Sequence, residues 1–367
     1  MNIGVIRETG EFERRVALTP SVARQLAAHG NTVWVEKGAG EQAMFPDDEY
    51  IRAGAHIAYS LDEVTRRSEL VVKISVPTVE ELGHFPKGVA LAAFYHMAVK
   101  ARPLVDLLIE REITAIGYEV IETEGGRLPV LAAISEIAGQ VTVPLAMDLL
   151  RSSSGGRGIL LGGSPGIPPA HVVILGAGTV GSSAARTATA AGARVTVLDI
   201  DTDKLRDLMT HLPHVATGLA DHDSVGAAVA SADVVIGAVL VAGRKAPHVV
   251  TRRMVESMRR GSVIIDVSID QGGCVETSRP TTLAEPSYVH HGVVHYCVPN
   301  LTADMSRSAS MALSQAVLPF LLRMAEDGID KALRTSAPLQ RGAYTHRGAC
   351  VRHSLAEVLG LAWEPLS

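Results

Sequence analysis

Residues 171–201 read HVVILGAGTVGSSAARTATAAGARVTVLDID, a stretch that can fold in very few ways. The apolar quartet Val172, Val173, Ile174 and Leu175 has the length of a buried parallel strand. Gly176, Gly178 and Gly181 then fall in the G-x-G-x-x-G pattern. In that pattern the first glycine makes a tight turn, the second lets the backbone approach a pyrophosphate, and the third lets a helix pack closely on the sheet. The helix opening at the turn offers free N–H groups and the positive end of its dipole to phosphates. The glycine pattern alone is weak, but a second apolar run (195–198) ends on Asp199, at the distance expected of a carboxylate that accepts from the adenosine ribose. A carboxylate there repels a 2′-phosphate, so the expected cofactor is NAD rather than NADP.

The rest of the chain repeats this alternation, and its 367 residues suggest two domains. Strands are expected at 3–6, 32–36, 70–76, 89–95 and 114–118, with helices at 19–29, 61–67 and 104–111. A long helix covers 131–150, broken only by Pro144, and a Ser/Gly/Pro-rich segment, 151–170, reads as an ordered loop beside the cofactor site. Strands at 172–175, 195–198, 234–238, 262–267 and 292–298 follow, then a helix at 305–325 that returns the chain to its first domain. The expected fold is α/β, with two Rossmann-like doubly wound domains. The NAD-binding domain, 131–304, is inserted into a discontinuous substrate domain, 1–130 and 305–367.

Composition narrows the partners. A net charge of −5 and 4% aromatic residues argue against a nucleic-acid partner. No uninterrupted apolar stretch reaches membrane-spanning length, and the N-terminal MNIGVIRETGEFERR lacks a signal-peptide core, so a cytoplasmic protein with no membrane partner is expected. Cys274, Cys297 and Cys350 are too few and scattered for a disulfide framework. His290, His291 and His295, and separately His346, Cys350 and His353, lack a recognised zinc spacing, and no metal is expected. Phosphate-loop and serine-elbow motifs are missing, which removes support for phosphoryl transfer and serine hydrolysis.

Open α/β sheets bind ligands beyond the carboxyl ends of their strands. His96, Ser75, Asp270 and Asn300 all stand at such ends, and Arg15 lies in the loop after the first strand. Each alone has an ordinary reading: a structural histidine, a turn-forming aspartate, a solvated arginine. Their joint placement around a cleft between two sheets favours the functional one.

Over nearly its whole length the chain resembles the alanine dehydrogenase family, which shares its fold with the NAD-binding subunit of proton-translocating transhydrogenases. The resemblance runs in order through RVALTP, AFYHMA, GYEV, SEIAG, GGRGILLGGSPGI, GAGTVG, VLDID, GAVLVAGRKAP, SVIIDVSIDQGG, TSRPTT and GVVHYCVPN. It implies that Arg15 clamps a substrate carboxylate, that His96 is the general acid/base, and that Asp270 orients the reacting nitrogen or water and stabilises the cationic imine. It further implies that Ser135, Val180, Asp199, Lys204, Leu240 and Asn300 contact NAD. The reaction would be hydride transfer from an amino-acid Cα, then hydrolysis to a 2-oxo acid and ammonia, with reductive amination as its reverse. A homo-oligomer, typically a hexamer, is also implied.

The chain departs from the family in three features of one expected site. Where the family has a KVKEP-like strand, this sequence has KISVP: Lys73 is kept, but Ser75 replaces the substrate-binding lysine. Lys73 lies on the same strand face as Ser75 and either substitutes for that lysine or keeps an ordinary structural role. Tyr95 puts a phenol beside His96, and NLTADMSRSAS after Asn300 lacks the family's prolines. Two alternatives follow: a dehydrogenase or imine reductase for another amino acid or imine, and a non-catalytic, transhydrogenase-like NAD-binding protein.

Overall fold

The computed structural model describes residues 1–97, 102–241 and 245–366. They form two compact units, Met1–Ile134 with Ala303–Ser367, and Ser135–Thr302. In chain order the strands are β1 (Asn2–Val5), β2 (Thr32–Glu36), β3 (His56–Ala58), β4 (Leu70–Val72), β5 (Ala90–Ala93) and β6 (Thr114–Gly117) in the first unit. The second unit holds β7 (His171–Leu175), β8 (Arg194–Asp199), β9 (Ala216–Leu219), β10 (Val234–Gly237), β11 (Val263–Asp266), β12 (Ser287–His290) and β13 (Val293–Tyr296). Back in the first unit come β14 (Ala343–His346) and β15 (Ala349–Cys350).

The first sheet runs β15-β14-β6-β5-β4-β1-β2-β3 and the second β12-β13-β11-β10-β7-β8-β9. Pairing is parallel except where β14 meets β6 and β15, and where β12 meets β13. In each unit the chain builds outward on one side of its first strand and then crosses to the other. This puts switch points between β1 and β4 and between β7 and β10, where doubly wound sheets take their ligands.

Both faces of both sheets are covered. Leu70, Val72, Ala90 and Ala92 pack into one core of the first unit, while Val71, Leu91 and Ala93 pack into the other. In the second unit Val172 and Ile174 face one core, Val173 and Leu175 the other. Two-sided burial explains why these strands are continuous apolar runs. It stabilises each fold by about 1.5–3 kcal/mol per buried Val, Leu or Ile side chain. The edge strands β3, β9 and β12 carry half-exposed residues, lack that signature, and escaped the sequence reading.

Two of the strands that are shorter than expected share one feature. Past β4 the Lys73 N–H still donates to the Ala92 carbonyl, and past β5 the Phe94 N–H to the Ile74 carbonyl, and buried carboxylates take the amides at 74–75 and 95–96. Glu8 accepts from the N–H groups of Ile74 (2.5 Å) and Ser75 (3.2 Å). Glu119 accepts from those of Tyr95 (3.2 Å) and His96 (2.8 Å).

Among the described residues one helix, Pro129–Leu149, is long and apolar enough to cross a membrane by length and composition. Its middle packs on the helix Thr179–Ala190: a Cβ on Gly139 would lie 2.3 Å from the Val180 carbonyl oxygen, and Ser183 Oγ donates to the Glu136 carbonyl at 2.8 Å. The 151–170 loop corrects an expectation. Gly162 abuts Ala191 and Gly192, and the Arg194 N–H donates to the Ala170 carbonyl at 3.0 Å. The loop therefore packs at the amino ends of the strands, opposite the glycine turn, and does not flank it.

Candidate active site

In the first unit the switch point gathers a buried charge cluster. The chain leaving β1 brings Glu8, Glu13 and Arg15, and the continuation of β4 brings Lys73 and Ser75. Arg15 donates from Nε to Glu13 Oε1 at 2.7 Å and from Nη2 to Glu13 Oε2 at 2.5 Å. Ser75 Oγ donates to the same Glu13 Oε2 at 3.2 Å. Lys73 is buried. Its ammonium donates to both Glu81 oxygens, at 2.9 and 2.8 Å, and lies 3.7 Å from Glu8. Thr9 and the Thr78 N–H also donate to Glu81. These two Lys73 hydrogen bonds thus go to one carboxylate of the fold, that of Glu81.

Among the described residues this cluster sets Glu8, Glu13 and Glu81 against Arg15 and Lys73. Burial pushes the Glu8 carboxyl up to about 7; the charge of Lys73 opposes the shift and that of Glu13 adds to it. Burial also works on Glu81, but the charge and hydrogen bonds of Lys73 hold its carboxyl below the usual range. A proton partly held on Glu8 thus offsets some of the negative charge of these groups.

His96 follows β5 with a left-handed backbone, φ 48°. Its ring stacks on Phe94, with centroids 5.8 Å apart and planes 10° from parallel, and Tyr118 meets Phe94 edge-on at 5.3 Å. Tyr95 corrects an expectation. Its hydroxyl donates to the Leu91 carbonyl at 3.1 Å and its ring packs edge-on against Tyr344, inside the opposite core. Residues alternate across a strand, so the ring beside His96 is Phe94, and the Tyr95 phenol lies on the other face.

In the second unit the glycine turn follows β7. Gly176 has φ 106°, and a Cβ there would lie 2.4 Å from the Ala238 carbonyl oxygen at the end of β10. A Cβ on Gly181 would lie 1.8 Å from the Gly176 carbonyl oxygen, so this glycine brings helix and turn together. At Gly178 a Cβ would meet nothing within 4 Å, leaving the backbone open to a ligand. Gly178 caps the helix Thr179–Ala190, whose first turn has no acidic residue. Asp199, at the end of β8, accepts from the Ala177 N–H at 2.6 Å and the Asp201 N–H at 2.8 Å, so it fastens the turn as well as facing it. This cradle of glycines, free helix N–H groups and carboxylate fits a dinucleotide with unphosphorylated ribose.

The other residues expected at the cofactor divide by exposure. Val180 is half-buried in the first turn of that helix, and Ser135 is half-buried on Pro129–Leu149. Lys204 is exposed, 3.6 Å from Asp201. Leu240 is exposed just beyond β10. Asp270 sits in the short 3-10 helix Val267–Gln271 after β11, and its Oδ1 accepts from the N–H of Asn300, itself left-handed at φ 53°, at 2.9 Å. Sequence reasoning missed Asp266, a buried carboxylate that accepts from the N–H groups of Ser268, Cys274 and Val275 and so shapes the loop bearing Asp270. Burial pushes its carboxyl up. His295 uses both ring nitrogens, with Thr277 at 2.9 Å and the Val293 carbonyl at 3.0 Å.

Comparisons with known proteins agree over the full length. Residues 4–138 match the family described as alanine dehydrogenase/PNT, N-terminal domain, and residues 142–353 its C-terminal domain. An alanine dehydrogenase of Mycobacterium tuberculosis is 40% identical over 369 residues, covering 100% of this chain and 99% of that protein. One from Halomonas elongata is 41% identical over 364 residues, covering 99% and 98%. The solved structure of an L-alanine dehydrogenase superposes with a TM-score of 0.93 at 41% identity, covering 98% of this chain and 99% of its own.

Proposed function

The chain belongs to the alanine dehydrogenase/PNT family, and from that premise we propose that it catalyses the NAD-dependent interconversion of L-alanine with pyruvate and ammonia. The observation that carries this reading is full-length identity of about 40% to alanine dehydrogenases. Bound NAD supplies the hydride acceptor. The protein's own groups do the rest. The Arg15 guanidinium holds the substrate carboxylate in a planar, charge-assisted pair. The His96 imidazole takes the proton released as the amine becomes an imine and as water adds to it, and returns that proton in reductive amination. The Asp270 carboxylate balances the positive charge on the imine nitrogen. Ser135, Val180, Asp199, Lys204, Leu240 and Asn300 bind NAD around the glycine turn. Hexameric assembly and a cytoplasmic location complete the proposal.

Ser75 favours a second reading, in which the substrate is another amino acid. Glu13 already occupies Arg15, and no lysine at 75 reinforces the carboxylate clamp. Following NADH with a panel of amino acids, and with their 2-oxo acids plus ammonia, separates the two. Turnover highest with alanine and pyruvate supports the first; activity with another amino acid and none with alanine replaces it with the second. His96→Ala abolishes turnover and leaves NAD binding intact, and persisting turnover would remove His96 from the mechanism.

A further inference from the structure

A residue with a Cβ enters the left-handed region only where its surroundings hold it there. His96 is held by Glu119. One oxygen of this buried carboxylate accepts from the His96 N–H at 2.8 Å, and the other from the Tyr95 N–H at 3.2 Å. The oxygen that binds His96 also accepts from the Tyr344 hydroxyl at 2.8 Å. Tyr344 comes from β14, and its ring passes over Gly117: a Cβ at 117 would lie 2.3 Å from that ring. The segment Gly117-Tyr118-Glu119 thus has a physical meaning. The glycine admits the Tyr344 ring, and two residues later the glutamate joins that phenol to the backbone of His96.

We propose that Glu119 and Tyr344 are positioning residues for His96, fixing the backbone from which the imidazole reaches the substrate nitrogen. The proposal rests on the reading of His96 as the acid/base. An ionised carboxylate only accepts hydrogen bonds, and all three of its partners donate. Glutamine keeps the shape but turns one acceptor into a donor aimed at an N–H. The left-handed turn then loses an anchor, and the imidazole shifts on its Phe94 support.

The test compares Glu119→Gln, Tyr344→Phe and His96→Ala in the full-length protein. Misplacing a catalytic group by a fraction of an ångström to an ångström costs up to about a hundredfold in rate. Glu119→Gln is expected to lower kcat about 10- to 100-fold, and Tyr344→Phe, which keeps the ring, about 3- to 10-fold. In both, NAD affinity and the KM for NAD stay unchanged, while the acidic limb of the kcat/KM profile moves. Wild-type kcat in Glu119→Gln overturns the proposal. So does a fall in kcat with an unmoved limb in both variants, the mark of a merely structural role. If Glu119→Gln does not fold, Tyr344→Phe alone decides by the same limb. Undiminished turnover in His96→Ala is the distinct result that defeats the acid/base reading and the positioning role with it.

Discussion

Ser75→Lys restores a third cation to a cluster in which, among the described residues, three carboxylates face two. At present the Ser75 hydroxyl is 3.2 Å from Glu13 Oε2, and Glu13 draws two N–H groups of Arg15 toward itself. A substrate carboxylate arriving at Arg15 competes with Glu13. Lysine at 75 gives Glu13 a second cation and leaves Arg15 more available. A charge-assisted hydrogen bond to a carboxylate contributes about 1.5–3 kcal/mol. At about 1.4 kcal/mol per tenfold, that is roughly ten- to a hundredfold. Part of the new interaction goes to Glu13 and not to substrate, so the lower end is expected: about a tenfold rise in kcat/KM for alanine, carried mainly by KM. Initial-rate measurements of NADH formation at varied alanine, with NAD saturating, read this directly, and the KM for NAD serves as control. A third cation also draws the Glu8 carboxyl down from about 7, flattening the pH dependence of alanine binding around neutrality. An unchanged or higher KM for alanine, with NAD binding intact, would refute the assignment of position 75 to the substrate clamp.

Three further outcomes follow from the same geometry. Folded Glu8 holds a proton that the unfolded chain releases near 4.5, so stability declines as pH rises from about 4.5 to 7 and is level above, a loss of about 3 kcal/mol. Glu8→Gln removes that slope, and thermal unfolding across this range that falls as steeply as in the wild type would contradict it. Gly178→Ala leaves the melting temperature unchanged, since its Cβ meets nothing, yet weakens NAD binding about tenfold or more; Gly181→Ala lowers both. Calorimetry and NADH fluorescence titration separate the pair, and wild-type NAD affinity in Gly178→Ala would show that the turn does not hold the pyrophosphate. Asp199→Ala leaves the Ala177 and Asp201 N–H groups without their acceptor and destabilises the second unit by about 1–3 kcal/mol, besides weakening NAD binding. An unaltered melting curve would show that the carboxylate does not fasten the turn.

What the sequence made legible, and what it hid, divides along the range of the interactions. The glycine turn and Asp199 lie within one βαβ unit, and their chemistry is local. The central strands announce themselves by two-sided burial. Glu8 and Glu119 were hidden because they act on amides 66 and 23 residues away, and Tyr344 because it reaches across 225. In a linear reading an acid near a loop is a solvated charge. Here each acid is buried and takes two successive N–H groups just past a parallel strand, and each of those segments carries a residue of the candidate site, Ser75 or His96. Holding backbone with carboxylates has an electrostatic consequence: acceptors that fix the loops also accumulate negative charge where, on the proposed function, a substrate carboxylate binds. Lys73 answers that charge for Glu81 and in part for Glu8 from a buried position. Arg15 answers it for Glu13. Serine at 75 therefore does more than shorten a side chain. Among the described residues it leaves Glu8, Glu13 and Glu81 facing two cations, Arg15 and Lys73, and a proton on Glu8 offsets part of that charge.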